Sequence, residues 1–250
     1  MKETVALGAL VAALLTACAA PVAAPSSSPA SASSTPRPTP SPMASRPTPA
    51  SPKPVLTRPP DARPTVQIRT ALIPYDDQRR AQMADYALRH YGVRSTVVHP
   101  ERIVLHLTDS DTGDAAIAHF TANEPQLGEL PGVCAHYLID QDGTVRQLVP
   151  DTLMCRHVIG LNDRALGIEV VQRIGDDPRA AAEQVLARPA QVRSLLELLT
   201  VLLDRYQLPV NAVIGHAMAN DDPAFVDLLG WRNDHTDWGP IEVGQVRSRL

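Results

Sequence analysis

Two histidines and an aspartate are the residues of this 250-residue chain best suited to chemistry. His106 stands in the run IVLHLT, His216 directly follows NAVIG, and Asp237 lies in HTDWGP, a turn rich in residues that fix the backbone. Two imidazoles and one carboxylate form an open three-ligand set for zinc, which leaves the fourth position for water. The chain has eight histidines, and any one of them alone is as readily a surface or core residue. What raises His106 and His216 is that each sits at the end of a strand-like run, and sites on α/β sheets gather beyond the C-terminal ends of strands.

The elements that must position these residues can be read from periodicity. Residues 77–91 contain no Gly or Pro, and Met83, Tyr86, Ala87 and Tyr91 form a helical stripe that stops at Gly92. Arg102–Thr108 alternates as a strand, with Val104, His106 and Thr108 on one face and Ile103, Leu105 and Leu107 on the other. The Asp142-Gly143 step predicts a hairpin between strands at 135–140 and 145–149. A further strand is expected at 165–172, a long amphipathic helix at 190–206 and a short strand at 211–215. Strands alternating with helices predict an α/β domain: a single domain over residues 66–250 with a central mixed β-sheet flanked by helices.

The first 65 residues are different material. Residues 1–17 have a charged start and an apolar run from Val5 to Leu15, the pattern of an export signal too short to span a membrane. The end of the run, Leu15-Thr16-Ala17-Cys18, resembles the bacterial lipoprotein box, in which the cysteine is lipidated and begins the mature protein. Ala19 rather than an aspartate follows, which favours the periplasmic face of the outer membrane if the envelope is Gram-negative. Between Ala19 and Pro64 lie 14 of the chain's 24 prolines, with Ser, Ala and Thr and no apolar period, so residues 18–65 are expected to form a disordered tether. In polyproline conformation, at ~3 Å per residue, such a tether reaches on the order of 100 Å at full extension.

Charge and cysteine content narrow the partners. The tether carries about +4 and residues 65–250 about −8; an acidic domain argues against nucleic acid. An exported chain meets an oxidising compartment, so Cys134 and Cys155 are expected to form a disulfide worth ~3 kcal/mol in the chain-entropy model. The alternative for one of them is a zinc ligand. A monomer is expected.

The ordered motifs IVLHLT, GVCAHYLIDQDGTVRQLVP, CRHVIGLNDRALGIEVV, VIGHAMA and DHTDWGP resemble the zinc-dependent N-acetylmuramoyl-L-alanine amidases of the type 2 amidase and peptidoglycan-recognition superfamily, from about Arg102 to Pro240. The resemblance implies a peptidoglycan hydrolase that cuts between N-acetylmuramic acid and L-alanine, with His106, His216 and Asp237 binding zinc. It also implies that Glu169 is the acid/base, taking a proton from water and delivering it to the departing nitrogen; the plainer reading is a half-buried structural carboxylate. His157 matches a position near the substrate, with a brace for the sheet as its alternative, and Arg156 and Asn162 could meet the stem peptide. His136 is read as a core residue or a support for the site.

The chain departs from the pattern where relatives carry a lysine two residues before the zinc aspartate and a proline after it. Here His235 and Trp238 occupy those positions, and no lysine occurs beyond Lys53. His235 is therefore the expected donor to the oxyanion. Two other readings stand beside the amidase: a non-catalytic peptidoglycan-binding lipoprotein, and a zinc peptidase acting on stem peptides. The second lacks the His-Glu-x-x-His helix expected of many such enzymes.

Overall fold

The structure is a computed structural model describing residues 66–250. The expected signal segment 1–17, the expected lipidation site Cys18 and the expected tether to residue 65 lie outside the described residues. Six strands form one mixed sheet: β1 (Ile68–Thr70), β2 (Arg102–Leu107), β3 (Tyr137–Ile139), β4 (Val145–Gln147), β5 (Ala165–Val170) and β6 (Val213–Gly215), in the order β1-β4-β3-β5-β2-β6. Five α-helices accompany them: α1 (Asp77–Tyr91), α2 (Gly113–Ala122), α3 (Pro178–Leu186), α4 (Pro189–Tyr206) and α5 (Pro240–Arg247). The α/β architecture is the one the alternating pattern predicts.

Local rules explain these elements. Helix α1 begins where the Asp76 side chain accepts from the Arg79 amide and ends at Gly92, whose φ of 76° suits a residue without a Cβ. Its buried stripe is Arg79, Met83, Tyr86, Ala87 and His90, and Tyr91 packs partly buried against the same core. Strands β3 and β4 pair antiparallel around Gly143, which has φ of 86°. Helix α4 turns Leu195, Leu198, Leu199 and Leu202 into the core, each worth about 1.5–3 kcal/mol on burial.

Strand β2 shows why the sheet positions chemistry. Ile103, Leu105 and Leu107 pack into the main core, while Val104 on the opposite face joins Ile214, Ala165, Val158 and Leu161 in a smaller cluster. His106 shares the face of Val104. The strands flanking β2, β5 and β6, both run parallel to it. Their C-terminal ends therefore meet along one edge. Cys134 and Cys155 are joined in a disulfide with their Cα atoms 5.7 Å apart, so neither thiol is free to ligate a metal. Among the described residues no helix is long and apolar enough to cross a membrane.

Candidate metal centre and cleft

Sheet register brings the first residues together. His106 pairs directly with Glu169 across β2 and β5, and the Leu105–Gly215 pair puts His216 one step beyond the end of β6. Asp237 arrives on the loop before α5. Its Oδ2 accepts from the Leu107 amide at 3.0 Å, and its backbone oxygen accepts from the Ala217 amide at 3.0 Å. Trp238 replaces a proline by a different anchoring device: the ring is fully buried and its indole N–H donates to the His106 carbonyl at 3.2 Å. Gly215 makes that loop's approach possible, because a Cβ there would lie 1.6 Å from the Trp238 carbonyl oxygen.

His106, His216 and Asp237 are all buried, and their ligating atoms lie within 4.8 Å of one another. His106 Nδ1 and His216 Nδ1 are 3.0 Å apart, and His216 Nδ1 is 3.4 Å from Asp237 Oδ1. That carboxylate oxygen is buried with no hydrogen-bond partner. An orphaned anionic oxygen beside two imidazoles fits a cation, and the donor set of two nitrogens and one oxygen suits zinc. Glu169, opposite His106 in the sheet, has an Oε2 that is also buried and without a partner. Burial first, and the Asp237 charge second, push the Glu169 carboxyl up to about 8. A cation beside Asp237 would offset the second cause and work against the first, favouring the ionised carboxylate.

The site opens into a cleft of about 760 Å³ whose lining includes Thr108, Asp109, His119, Gln126, Asn233 and His235. His235 stacks on His216 with centroids 4.4 Å apart and planes 13° apart, yet its side chain is 57% exposed. Burial, followed by the neighbouring His216, lowers its pKa, so the ring faces the cleft neutral and keeps one N–H in either tautomer.

Other expected site residues have their polar atoms occupied inside the protein. Arg156 lines the cleft, but its guanidinium donates to the carbonyls of Gln126, Glu129 and Pro131 at 2.8–3.0 Å and lies over the Tyr86 ring. It braces the 126–131 loop and does not wait for a stem-peptide carboxylate. Asn162 is fully buried: its Oδ1 accepts from the His157 and Val158 amides, and its Nδ2 donates to the Tyr91 hydroxyl. The side-chain amide expected to meet the stem peptide is thus engaged within the protein. His157 lines the cleft, but its Nδ1 lies 3.0 Å from His106 Nε2.

His136 is a core residue. It accepts from the Gly167 amide at Nδ1 and donates to the Leu153 carbonyl at Nε2. Burial lowers its pKa to about 4. The unfolded chain binds that proton near 6.5, so stability is lost as pH falls from about 6.5 through 4, by up to ~3 kcal/mol from this group. Chemical denaturation of metal-free protein between pH 4 and 7 should show this loss, and the His136→Gln variant should show a shallower slope. An unchanged slope would remove His136 from the account.

Asn233 is a residue that motif reading missed. It sits between Ile159 and His216, hydrogen-bonded to both. The only sequence signal is its place four residues before Asp237.

The sequence profile of the N-acetylmuramoyl-L-alanine amidase family matches residues 78–240. No curated protein matches the chain. Among solved structures, the chain is similar to the N-acetylmuramoyl-L-alanine amidase LysC from Clostridium intestinale, with 20% identity, 74% of this chain and 97% of that chain covered, and a TM-score of 0.47. It is similar to the Ph2119 endolysin of a Thermus scotoductus bacteriophage at 22% identity, 73% and 98% coverage, and a TM-score of 0.47. Similarity to AmiD from E. coli, solved with anhydro-N-acetylmuramic acid-L-Ala-D-gamma-Glu-L-Lys, is 24% over 52% of this chain and 55% of that chain, with a TM-score of 0.38. With a family match spanning most of the described residues and the three ligands expected of such a protein converged at one sheet edge, the chain belongs to the N-acetylmuramoyl-L-alanine amidases.

Proposed function

We propose that this amidase cleaves the bond between N-acetylmuramic acid and the first L-alanine of the peptidoglycan stem, with His106, His216 and Asp237 as zinc ligands and Glu169 as acid/base. The observation that carries the assignment is that Asp237 Oδ1 and Glu169 Oε2 are both buried without a hydrogen-bond partner, with the Asp237 charge near enough to raise the Glu169 carboxyl. When bound, zinc lowers the pKa of water toward neutrality and polarises the scissile carbonyl. Glu169 takes the proton from the attacking water and passes it to the departing alanine nitrogen. His235 offers its N–H to the carbonyl oxygen as that oxygen gains charge. His106, His216 and Asp237 are held by strand ends and by the Leu107 amide, so little reorganisation is needed during the reaction.

His235→Ala tests the donor role. Turnover should fall about 10²–10³-fold, the cost of losing an oxyanion donor, while bound zinc measured by atomic emission stays near one per chain. Loss of zinc would make His235 a ligand instead.

The Leu15-Thr16-Ala17-Cys18 order and the proline-rich stretch after it support a lipid-anchored protein in the cell envelope, on the periplasmic face of the outer membrane in a Gram-negative host. The tether gives the monomeric domain its reach to the wall. In fractionated cells, Cys18→Ala should move the protein from the membrane pellet to the soluble fraction. Retention in the pellet would contradict the anchor.

A further inference from the structure

Each imidazole that gives one nitrogen to a metal has a second nitrogen, and the partner of that second nitrogen decides the tautomer. For His216 the partner is Asn233. The Asn233 Oδ1 accepts from the Ile159 amide at 2.9 Å, and its Nδ2 donates to the Ile159 carbonyl at 3.0 Å, which fixes the orientation of the side-chain amide. His216 Nε2 is 3.1 Å from that same oxygen, so it carries the proton and Nδ1 presents a lone pair.

For His106 the chain has one more link. His157 Nε2 faces the Ala165 carbonyl at 3.2 Å and must donate to it. The neutral ring then has an acceptor at Nδ1, 3.0 Å from His106 Nε2. His106 donates there, and its own Nδ1 also presents a lone pair. Two lone pairs 3.0 Å apart repel unless a cation lies beside both. Space for the His157 ring is made by Gly167 on β5, where a Cβ would come within 2.8 Å of that ring.

Resting on the zinc reading above, we infer that His157 and Asn233 are positioning residues that lock His106 and His216 in the tautomers presenting Nδ1 to the metal, and that residues 155–162 form the strap setting both. His157 and Ile159 lie two residues apart on this strap, one supporting each ligand. The strap is itself tied down, by the disulfide at Cys155 and by the Asn162 Oδ1 accepting from two successive amides at 2.8 Å. Both acceptors that hold the ligands are uncharged, so ligand orientation is set here without a supporting carboxylate.

The test is zinc affinity by competition with a chromogenic chelator, together with the visible absorption of cobalt-substituted protein. His157→Phe and Asn233→Leu remove the acceptor; His157→Gln and Asn233→Asp keep one. The first pair should bind zinc about 10–100-fold more weakly, the usual cost of losing such a partner, with an altered cobalt spectrum in protein that is still folded by circular dichroism. Asn233→Leu also leaves the Ile159 amide and carbonyl unpaired and should lower the metal-free Tm. The second pair should hold zinc close to wild type. The inference is overturned if the acceptor-less variants bind zinc like wild type, or if the acceptor-bearing pair is as weak as they are. Asn233→Leu carries the test should His157→Phe fail to fold. A wild-type protein that binds no zinc would instead overturn the metal site on which the inference rests.

Discussion

Replacing Glu169 by Gln is expected to lower kcat by about 10²–10⁴-fold, the range for losing a positioned acid/base, with zinc content unchanged. Gln keeps the shape of the side chain but cannot take and return a proton. The residue is suited to both tasks because burial raises its carboxyl toward neutrality, while a cation held beside Asp237 would favour the ionised form that takes the first proton. It stands directly across from His106 in the β2–β5 register, so its position follows from strand pairing and not from a mobile loop. Steady-state release of stem peptide from muropeptides measures the effect. A variant with near wild-type kcat would return Glu169 to the plainer reading of a buried structural carboxylate.

The second large effect is expected at Asp237. Asn at this position can still accept from the Leu107 amide, so the loop should stay in place. What it loses is the anionic oxygen that now has no partner. The Asp237→Asn protein should therefore fold, purify with little zinc and show only the activity of chelator-treated wild type. Added zinc should restore the stripped wild type and not the variant. If the variant retained one tightly held zinc and full turnover, Asp237 would not be a ligand.

How far these residues could be read in advance depended on how local their signals are. Helix α1, strand β2 and the Asp142-Gly143 hairpin follow from periods and turn residues within a short window, and each matches the structure closely. Strand β1 has three residues, and its partner β4 is far away in sequence, so no local pattern announces it. Helix α3 does carry a local start, Asp177 capping and Pro178 opening the first turn, which the periodic reading did not use. The metal group joins residues from two parallel strands and a distant loop; ordered motif resemblance carries that information, and spacing does not. Arg156 and Asn162 illustrate the limit. Their side-chain types suit a polar ligand, but only tertiary packing shows their hydrogen bonds already used within the protein. Trp238 departs from the family pattern, and its indole secures the aspartate loop to β2.

Mass spectrometry of purified peptidoglycan after incubation with the wild-type protein tests the central claim most directly. The account predicts intact stem peptides beginning at L-alanine together with glycan stripped of stems, lost on chelation and restored by zinc. Shortened stems still attached to the sugar, or unchanged peptidoglycan with zinc bound, would contradict it.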